Sequence, residues 1–219
     1  MIETYPDVDA LAQAAADALA EALRAALRAR GRASLMATGG RSPGPVYDRL
    51  AAAPGIDWTH VGVTLSDERC VAPDAPESNL RLLRARLLVG AAARASVVPL
   101  WPRPPAAALR PLMPFDAVLL GMGEDGHIAS LIPGDPGLAN AMDPAGSELL
   151  ADTPAGLGAP PAARVTFTFA ALLKSRAIFL LVAGGAKREV VKRALSGEDL
   201  PVRALLVQDR VPVRVLWAP

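Results

Sequence analysis

The sequence predicts an α/β fold, a mostly parallel sheet with helices on both faces. Short apolar runs that read as buried strands alternate with segments of helical spacing, the order expected of βα units. Those runs are apolar almost throughout instead of at every second residue, so both sheet faces are covered. A long amphipathic helix opens the chain.

In that helix Val8, Leu11, Ala15, Leu19, Ala22, Leu23, Ala26 and Leu27 recur at helical spacing. Acids (Glu3, Asp7, Asp9) stand at its start and arginines (Arg24, Arg28, Arg30) toward its end, as the macrodipole favours, and Gly31 stops it. Strands are expected at Ala33–Thr38, His60–Leu65, Phe115–Leu120, Ala177–Ala183 and Val213–Trp217. Helices are expected at Pro43–Ala53, Glu77–Val89, Ala106–Met113 and Ala186–Leu195. Trp101–Pro105 and Asp152–Pro161 are irregular, rich in Pro, Gly and Ala; the second is either a mobile loop near a site or a plain surface connection. No repeat, heptad or linker divides the chain, so residues 1–219 read as one domain.

With 23 basic and 22 acidic residues the net charge is +1, which supplies no basic face for nucleic acid. Any anion site must be local, built from a few placed cations and backbone amides. The single cysteine, Cys70, allows neither an intrachain disulfide nor a thiolate metal cluster and agrees with a reducing compartment. The acidic N-terminus lacks the pattern of a signal peptide, and the longest uncharged apolar stretch, Ile178 to Ala186, is too short to span a bilayer and holds two glycines. No membrane association is expected, and cytoplasmic is the default setting.

In open parallel α/β sheets ligands bind beyond the carboxyl ends of the strands, so the residues after each strand matter most. After the first comes Thr38-Gly39-Gly40-Arg41-Ser42-Pro43, where two glycines allow close backbone approach and Pro43 fits the first helical position. The amides of that helix start, with the Ser42 hydroxyl and Arg41, would cradle a phosphate; a tight strand-to-helix turn explains the segment equally well. No Walker lysine follows, so a nucleotide P-loop is excluded. After the second strand, Ser66-Asp67-Glu68-Arg69 places three charges beside the core, and Glu77-Ser78-Asn79 follows shortly after. Charges so placed must pair, as in a Glu68–Arg69 type of ion network, or meet a ligand.

The densest segment runs from Gly121 through Met122, Gly123, Glu124, Asp125, Gly126 and His127 to Pro133. It satisfies G-x-G-x-x-G, but a pyrophosphate there would face Glu124 and Asp125, and Pro133-Gly134 stop any helix that the dinucleotide motif requires. An acid/base site fits better: His127, one of two histidines, lies in a Gly-rich loop with Asp125 two residues away, either to orient the imidazole and support its cationic form or to act as a base itself. His60, at the start of a strand, and Cys70, with no base beside it, carry no assignment. Near the C-terminus Arg164 precedes Val165-Thr166-Phe167, and Gly184-Gly185-Ala186-Lys187 opens a helix. A cation there runs against the macrodipole, which favours ligand contact for Lys187.

In this order, these motifs resemble the 6-phosphogluconolactonase family over nearly the whole chain. The resemblance rests on Gly39-Gly40-Arg41-Ser42-Pro43, Ser66-Asp67-Glu68-Arg69, Ser78-Asn79, the segment from Gly121 to Leu131, Arg164-Val165-Thr166 and Gly184-Gly185-Ala186-Lys187. It implies a Rossmann-like fold shared with sugar-phosphate isomerases and deaminases, a phosphorylated sugar lactone as small-molecule partner, a cytosolic location, and no required metal or cofactor. No obligate protein partner is expected. Glucosamine-6-phosphate deaminases look similar, but carry a glutamate five residues after the histidine, where this chain has Ile132; lactonases commonly have phenylalanine there. A non-catalytic sugar-phosphate sensor is the alternative from another class, although no DNA-binding module is visible.

The resemblance makes His127 and Asp125 the expected catalytic pair. Gly39, Gly40, Arg41, Ser42, Asp67, Arg69, Asn79, Gly123, Arg164 and Lys187 are the expected substrate- and phosphate-binding residues. Within that set Gly40, Ser42, Arg164 and Lys187 are assigned the phosphate and Asp67 the sugar hydroxyls. Backbone amides of the Gly121–Gly126 loop or Arg69 are assigned the oxyanion.

Overall fold

The computed structural model describes residues 2–219. Its first half contains β1 (Ile2–Thr4), α1 (Val8–Arg30), β2 (Ala33–Ala37), α2 (Gly44–Ala51), β3 (Val61–Leu65), β4 (Asp67–Arg69), α3 (Asn79–Arg86), β5 (Ser96–Val97), α4 (Ala106–Leu109) and β6 (Ala117–Leu120). The second half contains α5 (Leu138–Ala141), β7 (Leu150–Thr153), β8 (Arg164–Phe167), α6 (Phe169–Leu172), β9 (Ile178–Ala183), α7 (Gly185–Leu195), α8 (Pro201–Val207) and β10 (Val213–Ala218).

Local chemistry sets the ends of the opening helix where the sequence places them. The Asp7 carboxylate accepts from the amides of Asp9 and Ala10, satisfying donors that the first turn leaves free. At the other end Gly31 adopts the left-handed conformation and its amide returns to the Leu27 carbonyl.

Seven parallel strands form the main sheet in the order β1-β10-β9-β6-β2-β3-β5. The five strands expected from sequence make its centre, while the short edges β1 and β5 carry no pattern of their own. From β2 to β3 the chain steps toward the β5 edge; from β9 to β10 it steps toward the β1 edge. Right-handed crossovers therefore put α2 and the α7–α8 pair on opposite faces of the sheet. The helix α1 enters β2 from the β1 side and packs along α2. Between β2 and β6 the connections diverge, which makes this the topological switch point where ligands bind in such sheets.

Several segments depart from the sequence reading. Asp67–Arg69 and Arg164–Phe167 are strands, joined with Leu150–Thr153 in a small antiparallel sheet of order β4-β8-β7. Strands of three or four residues that carry buried charges show no periodicity, so they resemble loops. Asp152 and Thr153 belong to β7, and the irregular part of their region begins after them. The helix expected from Glu77 starts at Asn79, because Ser78 is extended and its hydroxyl caps the Arg81 amide. In α2, Pro43 occupies the cap and Pro45 the first turn.

Two core contacts fix the ends of the strands that matter for the site. The buried hydroxyl of Tyr47 accepts from the Thr38 amide at 2.8 Å and donates to the Thr38 carbonyl, so the backbone leaving β2 is pinned. Phe115 and Phe167 meet edge to face at 5.5 Å and join the two sheets. Among the described residues no helix is long and apolar enough to cross a membrane.

Candidate active site

The carboxyl ends of β2, β3, β6 and β9 surround a cleft of about 480 Å³. Every binding residue expected from sequence lines it: Gly39, Gly40, Arg41, Ser42, Asp67, Arg69, Asn79, Gly123, Arg164 and Lys187, with His127 among them. Asp125 is absent from the lining and reaches the cleft through the histidine.

The loop after β6 is a tight turn in which the Gly123 amide donates to the His127 carbonyl at 3.0 Å and the Gly126 amide to the Gly123 carbonyl at 3.1 Å. Those two amides are thereby spent inside the loop. The turn brings His127 Nδ1 to 2.6 Å from Asp125 Oδ1, which also accepts the His127 amide at 3.2 Å. Burial alone would push the Asp125 carboxyl up; the hydrogen bond and charge of His127, with backbone amides, outweigh it and hold the group below the usual carboxylate range. An ionised acceptor on Nδ1 requires that nitrogen to carry the proton in a neutral ring, which leaves the Nε2 lone pair free. Such a ring can take a proton from water and return it to a leaving group. Gly123 makes the arrangement possible, since a Cβ built there would overlap both Asp125 Oδ1 and His127 Nδ1.

Across the cleft, Arg69 and Arg164 face each other in the β4–β8 register. Like charges directly opposed are unfavourable unless something anionic lies between or beside them. Each has a buried Nε without a hydrogen-bond partner. Arg69 Nη1 is steered by the Glu77 carbonyl and by Asn79 Oδ1, the latter at 2.7 Å, and Asn79 Nδ2 donates to the Asp67 carbonyl at 2.9 Å. Gly39 is needed here because a Cβ would overlap the Asn79 amide. Asp67 is 5% exposed and accepts from the hydroxyls of Ser66 at 2.9 Å and Ser130 at 2.6 Å.

Lys187 is the third residue of α7, half-buried at the helix start. Burial pushes its ammonium down, Glu124 and Asp125 oppose that shift, and Arg41 adds to it, so Arg41 and Lys187 share one electrostatic neighbourhood. With the Gly39–Ser42 turn beside them, these two cations give this side of the cleft the chemistry of an anion cradle.

Glu68 corrects the sequence reading. Its carboxylate accepts from the amides of Arg69, Asn79 and Leu80 and from the Ser78 hydroxyl, at 2.7–3.1 Å. It caps α3 and makes no ion pair with the Arg69 guanidinium. Burial pushes the Cys70 thiol up, and Cys70 lines a separate outer cleft. His60 is held by Asp57 and Thr59 ahead of β3, at the opposite end of the sheet. Thr38, Ala129, Ala159 and Leu181 also line the cleft without having been assigned a role; Thr38 and Ala129 lie in the two loop motifs, Ala159 in the Pro- and Gly-rich stretch and Leu181 in an expected strand. Among the described residues no three His, Cys, Asp or Glu side chains gather as metal ligands.

The switch-point cleft, with its Asp–His pair and its two cationic walls, places the chain among the α/β enzymes of phosphorylated small molecules. Comparison with known proteins narrows that class. The chain belongs to the family described as glucosamine-6-phosphate isomerases/6-phosphogluconolactonase, whose model matches residues 6–217. It is 42% identical to a 6-phosphogluconolactonase of Caulobacter vibrioides, over 99% of this chain and 97% of that one. A second, from Rhizobium meliloti, is 38% identical over 98% and 97%. The crystal structure of a 6-phosphogluconolactonase from Shewanella baltica superposes with a TM-score of 0.91 at 36% identity, covering 100% of this chain and 97% of the other.

Substituting Gly123 by alanine is expected to keep the circular dichroism spectrum and cut turnover about 10²-fold or more, the scale of a lost general base. Turnover close to that of the unsubstituted enzyme would show that the Asp125–His127 geometry is dispensable.

Proposed function

We propose that the enzyme hydrolyses 6-phospho-D-glucono-1,5-lactone to 6-phosphogluconate, a step of the pentose phosphate pathway, by metal-free general acid/base catalysis. The observation that carries this reading is the imidazole of His127, held through Nδ1 by Asp125 with Nε2 left for the cleft. Nε2 takes a proton from water as the water oxygen attacks the lactone carbonyl. The imidazolium, stabilised by Asp125, then protonates the ring oxygen as its bond to the carbonyl carbon breaks. The product is an open-chain acid that ionises.

Two of the loop amides considered for the oxyanion are occupied, which leaves Arg69, whose side chain lines the cleft, as the better donor. Gly40, Ser42, Arg164 and Lys187 bind the phosphate at a distance from the carbonyl, with Gly39 and Arg41 shaping the same turn. Asp67 and Asn79 orient the sugar hydroxyls. Remote binding of that kind aligns the ester with the base and removes part of the entropic barrier. Ile132 is 2% exposed and apolar where a deaminase needs a carboxylate, so ring-opening proton transfer lacks a group there. The proposal includes a cytoplasmic setting and a small phosphorylated lactone as the only required partner.

The reading is tested by a pH-buffered assay on freshly generated lactone with background hydrolysis subtracted. His127→Ala is expected to lower kcat by about 10²–10⁴-fold, and a near-normal kcat rejects the base assignment. Lys187→Ala is expected to raise KM about tenfold or more, the scale of a lost hydrogen bond to a charged group, with kcat largely kept. An unchanged KM contradicts its phosphate role.

A further inference from the structure

We infer that Ser130 is a positioning residue that keeps the charge of Arg164 available to the substrate's phosphate. The inference rests on the phosphate role given to Arg164 above.

Ser130 is fully buried and its hydroxyl stands between two buried charges. The single hydroxyl proton goes to Asp67 Oδ2 at 2.6 Å, so the oxygen lone pairs face Arg164 Nη1 at 3.4 Å. Arg164 and Asp67 themselves are 3.9 Å apart at their nearest atoms, outside hydrogen-bonding range. Two opposite charges this close and this dry attract strongly, and a guanidinium prefers to close on a carboxylate through two parallel bonds. The hydroxyl oxygen prevents that closure. It satisfies Asp67 as a donor and spaces the guanidinium, while the Pro160 carbonyl takes Nη2 at 2.7 Å and Nε stays unpartnered.

The backbone is built to aim this side chain. The Ser130 amide donates to Thr166 Oγ1 at 3.0 Å, and Thr153 Oγ1 donates to the Ser130 carbonyl at 2.8 Å, so β8 and β7 grip the residue from two sides. The preceding Ala129 holds φ at 50°, in the left-handed region and the only non-glycine residue there among the described residues. Such a conformation is unfavourable for alanine and persists only where the surroundings impose it. It turns Ala129 to the cleft and Ser130 to the ion pair. Ser130 thus ties the histidine loop, which begins a few residues earlier, to the phosphate side of the site.

Ser130→Ala removes the spacer and lets Arg164 close on Asp67. Its KM for the lactone and its Kd for inorganic phosphate, measured by titration calorimetry, are both expected to rise about tenfold, the scale of one hydrogen bond to a charged group. The kcat should stay within about twofold, because the interaction lost is made equally in the ground and transition states. Ser130→Thr keeps the hydroxyl and should keep the phosphate affinity. In an Asp67→Asn background, where no carboxylate remains to capture Arg164, the effect of removing the hydroxyl should shrink. Phosphate affinity unchanged by Ser130→Ala, a loss in Ser130→Thr as large as in alanine, an undiminished effect in the Asp67→Asn background, or no phosphate binding by the unsubstituted enzyme would each overturn the inference. Failure of the unsubstituted enzyme to hydrolyse the lactone would instead reject the proposed activity, while the phosphate titration still decides the role of Ser130.

Discussion

The hydrogen bond between Asp125 and His127 orders the rest of the site, because it decides which imidazole nitrogen is free to react. It forms between residues two apart in sequence, within a loop whose glycines allow the chain to fold back on itself. The sheet contributes position. The loop leaves β6 beside the switch point, so the ring stands where the ends of β2 and β3 converge.

The cationic side chains of the cleft are held by two physical devices. On the α2 and α7 side, Arg41 lies beside the half-buried Lys187 in one electrostatic neighbourhood. On the other side the small antiparallel sheet carries Arg69 and Arg164 inward, with Asp67, Ser66 and Ser130 setting the balance of charge and hydrogen bonds. Buried charges of this kind are costly unless paired, and the pairing here is incomplete at both arginines.

The central strands and the opening helix were legible because their signals are local: continuous apolar runs, an acidic cap, and a glycine stop. The Asp125–His127 loop was legible for the same reason, since Asp125, Gly126 and His127 lie within one turn. The small sheet was not. Arg69 and Arg164 face each other only through the β4–β8 register, which no local pattern encodes. Glu68 reads as a ligand or an ion-pair partner until the fold brings the start of α3 onto its carboxylate. Ser130 was visible only as part of a motif, because its meaning depends on Asp67, far away along the chain.

The tautomer of His127 tests the account most directly. Nitrogen NMR of the imidazole at a pH where the ring is neutral, assigned against a His60→Gln variant because the chain has two histidines, reports which nitrogen carries the proton. The geometry predicts a protonated Nδ1 and a bare Nε2. A ring protonated at Nε2, with Nδ1 bare against Asp125, would contradict it.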